Sequence, residues 1–137
     1  MTENPIVVII SRHQPDLDRV NFLKNVFGPE TQVLCFDIRY GDNPVQTIAD
    51  FIKEIEVDFD GNVVAIEPVA PFPVLIKIVD AKRQLGVKIL RSVFERDSFG
   101  RIIVTGQDSS GRDIFKFGRY EELVRIEFQV ADLTPIS

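Results

Sequence analysis

Ser11-Arg12-His13-Gln14 is the group of residues in this chain best equipped for chemistry. It contains the sole histidine, and a histidine titrates close enough to neutrality to serve as acid or base. It also brings a fixed positive charge on Arg12 and a hydroxyl on Ser11. The cluster begins where the apolar run Ile6-Val7-Val8-Ile9-Ile10 stops, and Pro15 follows it. A polar cluster at the carboxyl end of a first parallel strand lies where α/β domains bind ligands. Adjacency alone does not make Ser11 and His13 a nucleophile and its base, because neighbours on a turn often point apart. A lone loop histidine serves equally well as a plain hydrogen-bonding residue.

Three further junctions offer polar side chains that the same end of a sheet would gather. They are Asp37, Arg39, Tyr40 and Asp42; then Glu67 with Pro68; then Arg91 and Ser92, with Glu95 and Arg96 beyond. Arginines set beside helix amino termini make an anion site, since free N–H groups and the positive dipole end add to the guanidinium charge. The expected ligand contacts are Ser11, Arg12, His13, Gln14, Arg39, Arg91 and Ser92, and the expected ligand bears a phosphate. The competing reading is that the arginines form surface ion pairs with Asp37, Asp42, Glu67 and Glu95. Glu67 offers a second acid-base group that would make a small hydrolase with His13. It equally suits a cap on the segment that follows.

The elements that must position these residues are legible as alternating patterns. Four apolar runs rich in Val and Ile, Ile6 to Ile10, Val33 to Phe36, Val63 to Ile66 and Val87 to Leu90, suit parallel strands covered on both faces. Between them lie three helical patterns. Pro15 to Phe27 stripes Leu17, Val20, Leu23, Val26 and Phe27 against a polar face that includes Arg19, and Gly28-Pro29 ends it. Pro44 to Glu56 stripes Val45, Ile48, Ala49, Ile52 and Ile55, with Asn43 as its cap. Pro73 to Leu85 turns Val74, Leu75, Ile78, Val79 and Leu85 inward, and Gly86 stops it. Strand, helix, strand repeated in this way predicts right-handed βαβ units. The fold expected is a three-layer, Rossmann-like open sheet of four parallel strands in the order 2-1-3-4, whose crevice opens between the first and third strands.

After Leu90 the pattern changes to strands without helices. Arg101 to Gly106, Arg112 to Phe117 and Glu122 to Ala131 read as a β-meander, with Asp108-Ser109-Ser110-Gly111 as a hairpin turn. Residues 1–137 are therefore read as one domain, with a core over 1–96 and the meander over 97–137. The last strand alternates Val124, Ile126, Phe128 and Val130 against Arg125, Glu127 and Gln129, which suits a sheet edge or the contact of a homodimer. In this reading Phe115, Phe117 and Phe128 belong to core or interface.

Composition removes several function classes. A net charge of −5 and a pI near 4.9 argue against general nucleic-acid binding, which needs a basic surface. The single Cys35 cannot form a disulfide within the chain, and Met1-Thr2-Glu3-Asn4-Pro5 lacks the features of a signal peptide, so a cytoplasmic location is expected. No apolar run approaches the roughly 18 residues of a membrane span. There is no Gly-x-Gly-x-x-Gly, no Walker A sequence and no acidic pair ending the first strand, which disfavours dinucleotide, P-loop and receiver chemistry. One His and one Cys far apart give no zinc pattern, so neither metal nor cofactor is expected.

An apolar strand ending in Ile10-Ser11-Arg12-His13 at the start of a small α/β domain resembles the stand-alone CRISPR-associated Rossmann-fold proteins of the ring-nuclease type. The resemblance implies a homodimer whose paired strand ends form one anionic-ligand site across the twofold axis. Ser11, Arg12 and His13 would contact a cyclic oligonucleotide, with Arg91 and Ser92 beside them. It also implies slow, metal-independent phosphodiester cleavage. The function expected is thus binding of an anionic, nucleotide-like ligand, and the alternatives are the His13–Glu67 hydrolase or a non-enzymatic module that docks a partner through the C-terminal strands.

Overall fold

The computed structural model describes residues 4–136; residues 1–3, which carry most of the amino-terminal stretch read above, and residue 137 lie outside that description. In chain order the elements are β1 (Asn4–Ile10), α1 (Leu17–Phe27), β2 (Gln32–Phe36), α2 (Pro44–Phe59), β3 (Gly61–Pro68), α3 (Phe72–Asp80), α4 (Lys82–Leu85) and β4 (Lys88–Phe94). Three strands follow: β5 (Val104–Gln107), β6 (Asp113–Phe115) and β7 (Phe117–Glu122). The main sheet runs β2-β1-β3-β4-β7, its first four strands parallel and β7 antiparallel to β4. This is the expected α/β open sheet in the order 2-1-3-4, extended at one edge by a C-terminal strand.

β1 is an interior strand, hydrogen-bonded to β2 on one side and β3 on the other. A strand in that position has both faces covered and must be apolar on both. Ile6 to Ile10 are accordingly no more than 2% exposed. Ile6, Val8 and Ile10 face a core built with Ile48, Ile52 and Ile55 of α2, Ile78 and Val79 of α3 and Leu85 of α4. Val7 and Ile9 face the opposite core, made with Leu23 of α1, Ala65, Leu90, Phe117 and Tyr120. β3 keeps its apolar residues on both faces by a register shift opposite Ile6 and Val7, which inserts Val64 as an extra residue. Where β1 and β3 begin, a Cβ on Gly61 would stand 2.6 Å from Ile6 Cδ1 and 2.9 Å from the Asn4 carbonyl oxygen, so the two strands can close only around a glycine.

The helix signals operate with one shift. Asn43 caps α2, its Oδ1 accepting from the Gln46 amide at 3.2 Å, and Pro44 takes the first turn. Gly28 and Gly86, at φ 117° and 70°, end α1 and α4. α1 is capped by Asp16 rather than started at Pro15, the Asp16 carboxylate accepting from the Arg19 amide at 2.9 Å. The apolar stripe predicted for this helix needs correction, since Leu17 and Val26 are 71% and 58% exposed. α1 instead turns Arg19, Phe22, Leu23 and Phe27 toward the sheet. The Arg19 guanidinium lies 5.3 Å and 5.6 Å from the ring centres of Phe94 and Phe117, where aromatic faces accept a cation that a plain apolar stripe would exclude. The third predicted helix is two helices, divided at Ala81.

The C-terminal region differs most from expectation. β5 and β6 form a two-stranded hairpin of their own, closed by the predicted turn, in which Asp108 Oδ1 accepts from the Ser110 and Arg112 amides. β7 then joins the sheet at Phe117–Glu122, earlier than the predicted Glu122 to Ala131. Residues 123–136 form no strand and contain no turn or bend. This placement buries Phe117 and Tyr120 in the core beneath α1. Phe117 is core, as expected, whereas Phe115 and Phe128 are 39% and 69% exposed.

Truncation of Ile48, fully buried between α2 and β1, to alanine is expected to cost about 2–5 kcal/mol of unfolding free energy in a urea titration with unchanged m-value.

Candidate functional site

The carboxyl ends of β1, β2 and β3 surround an open cleft of about 290 Å³, lined by Ile10, Ser11, Arg12, His13, Asp37, Ile38, Tyr40 and Val69. It lies at the point where the strand order reverses, since β1 connects to β2 on one side and β2 then returns to β3 on the other. Its volume falls just below the usual range of small-molecule sites, about 300–1,000 Å³.

Backbone bonds hold its walls together. The Ser11 amide donates to the Phe36 carbonyl at 3.0 Å and the Val69 amide to the Ile10 carbonyl at 3.1 Å, so the loops after all three strands leave the sheet in fixed register. The Ser11 hydroxyl accepts from the His13 amide at 3.1 Å, which closes a tight turn. The Cys35 thiol, on β2 below, points at the Ser11 and His13 carbonyls at 3.5 Å and 3.3 Å. Burial, then the charge of Glu67, pushes that thiol's pKa up. This turn leaves the Arg12 and His13 side chains exposed. Arg12 Nε stands 3.9 Å from Asp37 Oδ2 with both side chains largely in solvent, a weak, screened pair that leaves the guanidinium open to a ligand. On the opposite wall the Tyr40 hydroxyl donates to the Val69 carbonyl at 3.3 Å, and the Thr47 hydroxyl donates to the Tyr40 carbonyl at 2.9 Å. Burial and the neighbouring Asp37 carboxylate push the Tyr40 phenol up to about 12. The Asp108 carboxylate at the tip of the β5–β6 hairpin is held below the usual range by the Ser110 hydroxyl and the Arg112 amide.

Of the residues singled out in the sequence, Ser11, Arg12 and His13 line the cleft and Gln14 and Arg39 do not, although both are exposed beside it. Arg91 and Ser92 are on β4, with β3 between them and β1. The Arg91 guanidinium is bound to the Glu121 carboxylate at 2.6 Å, and Glu121 also accepts from Arg119 at 2.8 Å. Those two cations hold the Glu121 carboxyl below its ordinary value. Arg91 thus has the ion-pair role, with a partner on β7 that the loop residues did not suggest.

Glu67 is 4% exposed and lies under α1 instead of in the cleft. It shares a cross-strand row with Ile9 and Cys35, and its carboxylate accepts the Tyr120 hydroxyl at 2.6 Å. Burial and the Glu67 charge push the Tyr120 phenol far above its ordinary value, while the nearby Arg19 charge opposes this. The Nε of Arg19 is buried and has no hydrogen-bond partner among the described residues. Glu67 is thus buried and bonded to Tyr120, whereas His13 is exposed at the cleft. Asp37 and Tyr40 were legible as junction residues, but nothing in the sequence marked them above Asp42 or Arg39. Among the described residues no group of three or more His, Cys, Asp and Glu could hold a metal ion, and no helix is long and apolar enough to cross a membrane.

Fold and cleft define a Rossmann-like α/β domain with a polar, open site at the carboxyl ends of its parallel strands. No family model matches the chain, and no curated protein or solved structure matches it.

Two outcomes follow from the tyrosines. Replacing Tyr120 with phenylalanine leaves the buried Glu67 carboxylate without its donor and is expected to cost about 1–3 kcal/mol at neutral pH, read by chemical denaturation. An unfolded tyrosine ionises near pH 10, whereas both folded tyrosines keep their protons beyond it. Their stabilising effect is complete below pH 10 and is lost as the pH rises. For Tyr120 the loss reaches up to about 1.4 kcal/mol per pH unit. A spectroscopic titration should show no tyrosinate near pH 10 while the protein stays folded, with Tyr40 ionising only toward pH 12 and Tyr120 only on unfolding.

Proposed function

We propose that this protein binds a nucleotide-like anion in the cleft at the carboxyl ends of β1, β2 and β3. The observation that carries the reading is the exposed Arg12–His13 pair on one wall with Asp37 facing it from the end of β2. Arg12 and His13 are donors of the type that bind phosphate oxygens. A carboxylate at the end of the second strand is suited to accept from ribose hydroxyls, the place such a group takes in dinucleotide-binding folds. The Tyr40 ring supplies an aromatic wall. An acidic protein with one local cationic turn favours a small anionic ligand over a polyanion, whose binding requires many dispersed cations. Mono- and dinucleotides and cyclic oligonucleotides all have the required chemistry, the last in keeping with the Ser11-Arg12-His13 resemblance.

Phosphodiester cleavage is the reaction these residues would assist. The Ser11 hydroxyl has no hydrogen bond to a side-chain base among the described residues, only the one it accepts from the His13 amide, so the attacking oxygen would be the ligand's own 2′-hydroxyl. It would displace the 5′-oxygen at the adjacent phosphorus and form a 2′,3′-cyclic phosphate. His13 would take the proton from the 2′-oxygen or supply the one the departing 5′-oxygen needs, with water of the open cleft making the other transfer, and Arg12 would stabilise the charge on the phosphoryl oxygens.

Calorimetry with mono-, di- and cyclic oligonucleotides tests the proposal. At least one ligand is expected to bind, and Arg12→Ala and His13→Ala are each expected to weaken it roughly ten- to a hundredfold, the worth of a lost charge-assisted hydrogen bond. Asp37→Ala should remove the preference for the ribo- over the deoxyribo-ligand. Absence of heat and of any thermal shift across the whole set would overturn the reading.

A further inference from the structure

Residues 124–136 make no backbone hydrogen bond to any other described residue. The last such bond on this side is the Leu123 amide donating to the Ile89 carbonyl at 2.7 Å. Beyond it the chain continues without turn or bend, across to the α2/α3 face, where Leu123 and Ile126 pack on the core. The Phe128 ring meets Phe72 edge-on at 5.8 Å. Arg125 Nε and Glu127 Oε1 stand 3.3 Å apart, so these two side chains share one side of the backbone, as an extended chain of period two requires. The apolar residues of the segment remain largely uncovered: Val124 is 59% exposed, Phe128 69% and Val130 89%. A run with free backbone donors and acceptors, side chains that alternate from Arg125 to Phe128 and uncovered apolar groups is competent to pair as a strand edge, although it pairs with nothing among the described residues.

We infer that this segment pairs with the same segment of a second copy of the chain, antiparallel and centred on Ile126, to form a twofold-symmetric dimer. The occupant is identified by self-complementarity. With Ile126 opposite its own copy, Arg125 falls opposite Glu127 of the other copy and Glu127 opposite its Arg125, which makes two cross-strand ion pairs. On the other side of the same ribbon Val124 falls opposite Phe128 twice, flanking the paired isoleucines. Directly opposed residues share a face in an antiparallel pair, so all three apolar pairs line one side and both ion pairs the other. A parallel, in-register pairing would oppose Arg125 to Arg125 and Glu127 to Glu127, and like charges directly opposite are destabilising. The antiparallel arrangement is also the closed, isologous one, which stops at two copies instead of propagating. This inference is independent of ligand binding in the cleft.

Sedimentation velocity on the full chain tests it with charge exchange at two positions exposed to solvent. The natural protein is expected to sediment as a concentration-dependent dimer. Arg125→Glu and Glu127→Arg should each shift it to monomer, since each opposes like charges twice across the twofold axis. The double variant carrying both changes restores opposite charges in the same register and should dimerise again. Ile126→Cys should then form a disulfide-linked dimer under mild oxidation, with Cys35→Ser as background to exclude the native thiol. A natural protein that remains monomeric at the highest concentration studied overturns the inference, and so does a dimer that survives both single charge reversals. Monomeric behaviour of the double variant, with circular dichroism unchanged, would equally overturn the stated register.

Discussion

Burial of β1 on both faces is the constraint on which the rest of the molecule depends. Five consecutive residues, Ile6 to Ile10, are almost wholly removed from water, and each alternates between the two cores that the layers of helices enclose. At about 1.5–3 kcal/mol for each fully buried aliphatic side chain, this strand is among the largest contributors to folding free energy in the chain. The same burial dictates where polar chemistry can lie. Nothing polar fits along β1, so the first position at which a hydroxyl, a guanidinium and an imidazole can appear is its carboxyl end. There the hydrogen bonds from Ser11 to β2 and from Val69 to Ile10 define the mouth of the cleft.

The two faces of the sheet are covered unequally, and this inequality accounts for the buried polar groups. α2, α3 and α4 share one face, whereas α1 alone covers the other. One helix cannot span five strands, and the aromatic residues Phe22, Phe27, Phe117 and Tyr120 fill the remaining width. Their ring centres pack 5.1–5.9 Å apart among Phe22, Phe117 and Tyr120, in the tilted and edge-on geometries that aromatic quadrupoles favour. Tyr120 brings a hydroxyl into this layer, and Glu67 receives it. The hydrogen bond ties the antiparallel edge strand β7 to the parallel core at β3 across 53 positions of sequence. Arg19 enters the same layer by lying on the rings, which accept its charge where water is excluded.

Much of this was legible in the residues. The Val- and Ile-rich runs, the Asn43-Pro44 helix start, the Gly28 and Gly86 stops and the Asp108 turn each have a local physical cause, and each appears where that cause placed it. The position of the cleft followed from strand order alone. What could not be read was rotation and partnership. Period 3.6 fits α1 with Leu17 and Val26 inward as well as with Arg19 and Phe22 inward, and only the aromatic layer chooses the second. Alternation from Val124 to Val130 marks a strand-competent segment, yet the edge of this sheet is taken by Phe117–Glu122, whose two aromatics fit the α1 face. Arg91 carried the charge of a ligand contact, but Glu121, 30 positions away, claims it.

Sequence by itself therefore determined the class of fold, the interior position of β1 and the placement of Ser11, Arg12 and His13 at the carboxyl end of that strand. Those properties follow from local composition and from the rule that a doubly covered strand admits no polar side chain. Tertiary structure alone decided that Asp37 and Tyr40 complete the cleft, that Glu67 leaves it for Tyr120, and that Arg91 is neutralised on β7. Those outcomes depend on which residues of distant segments arrive at the same depth of the sheet. That is set by register and by helix rotation, neither of which any single segment encodes.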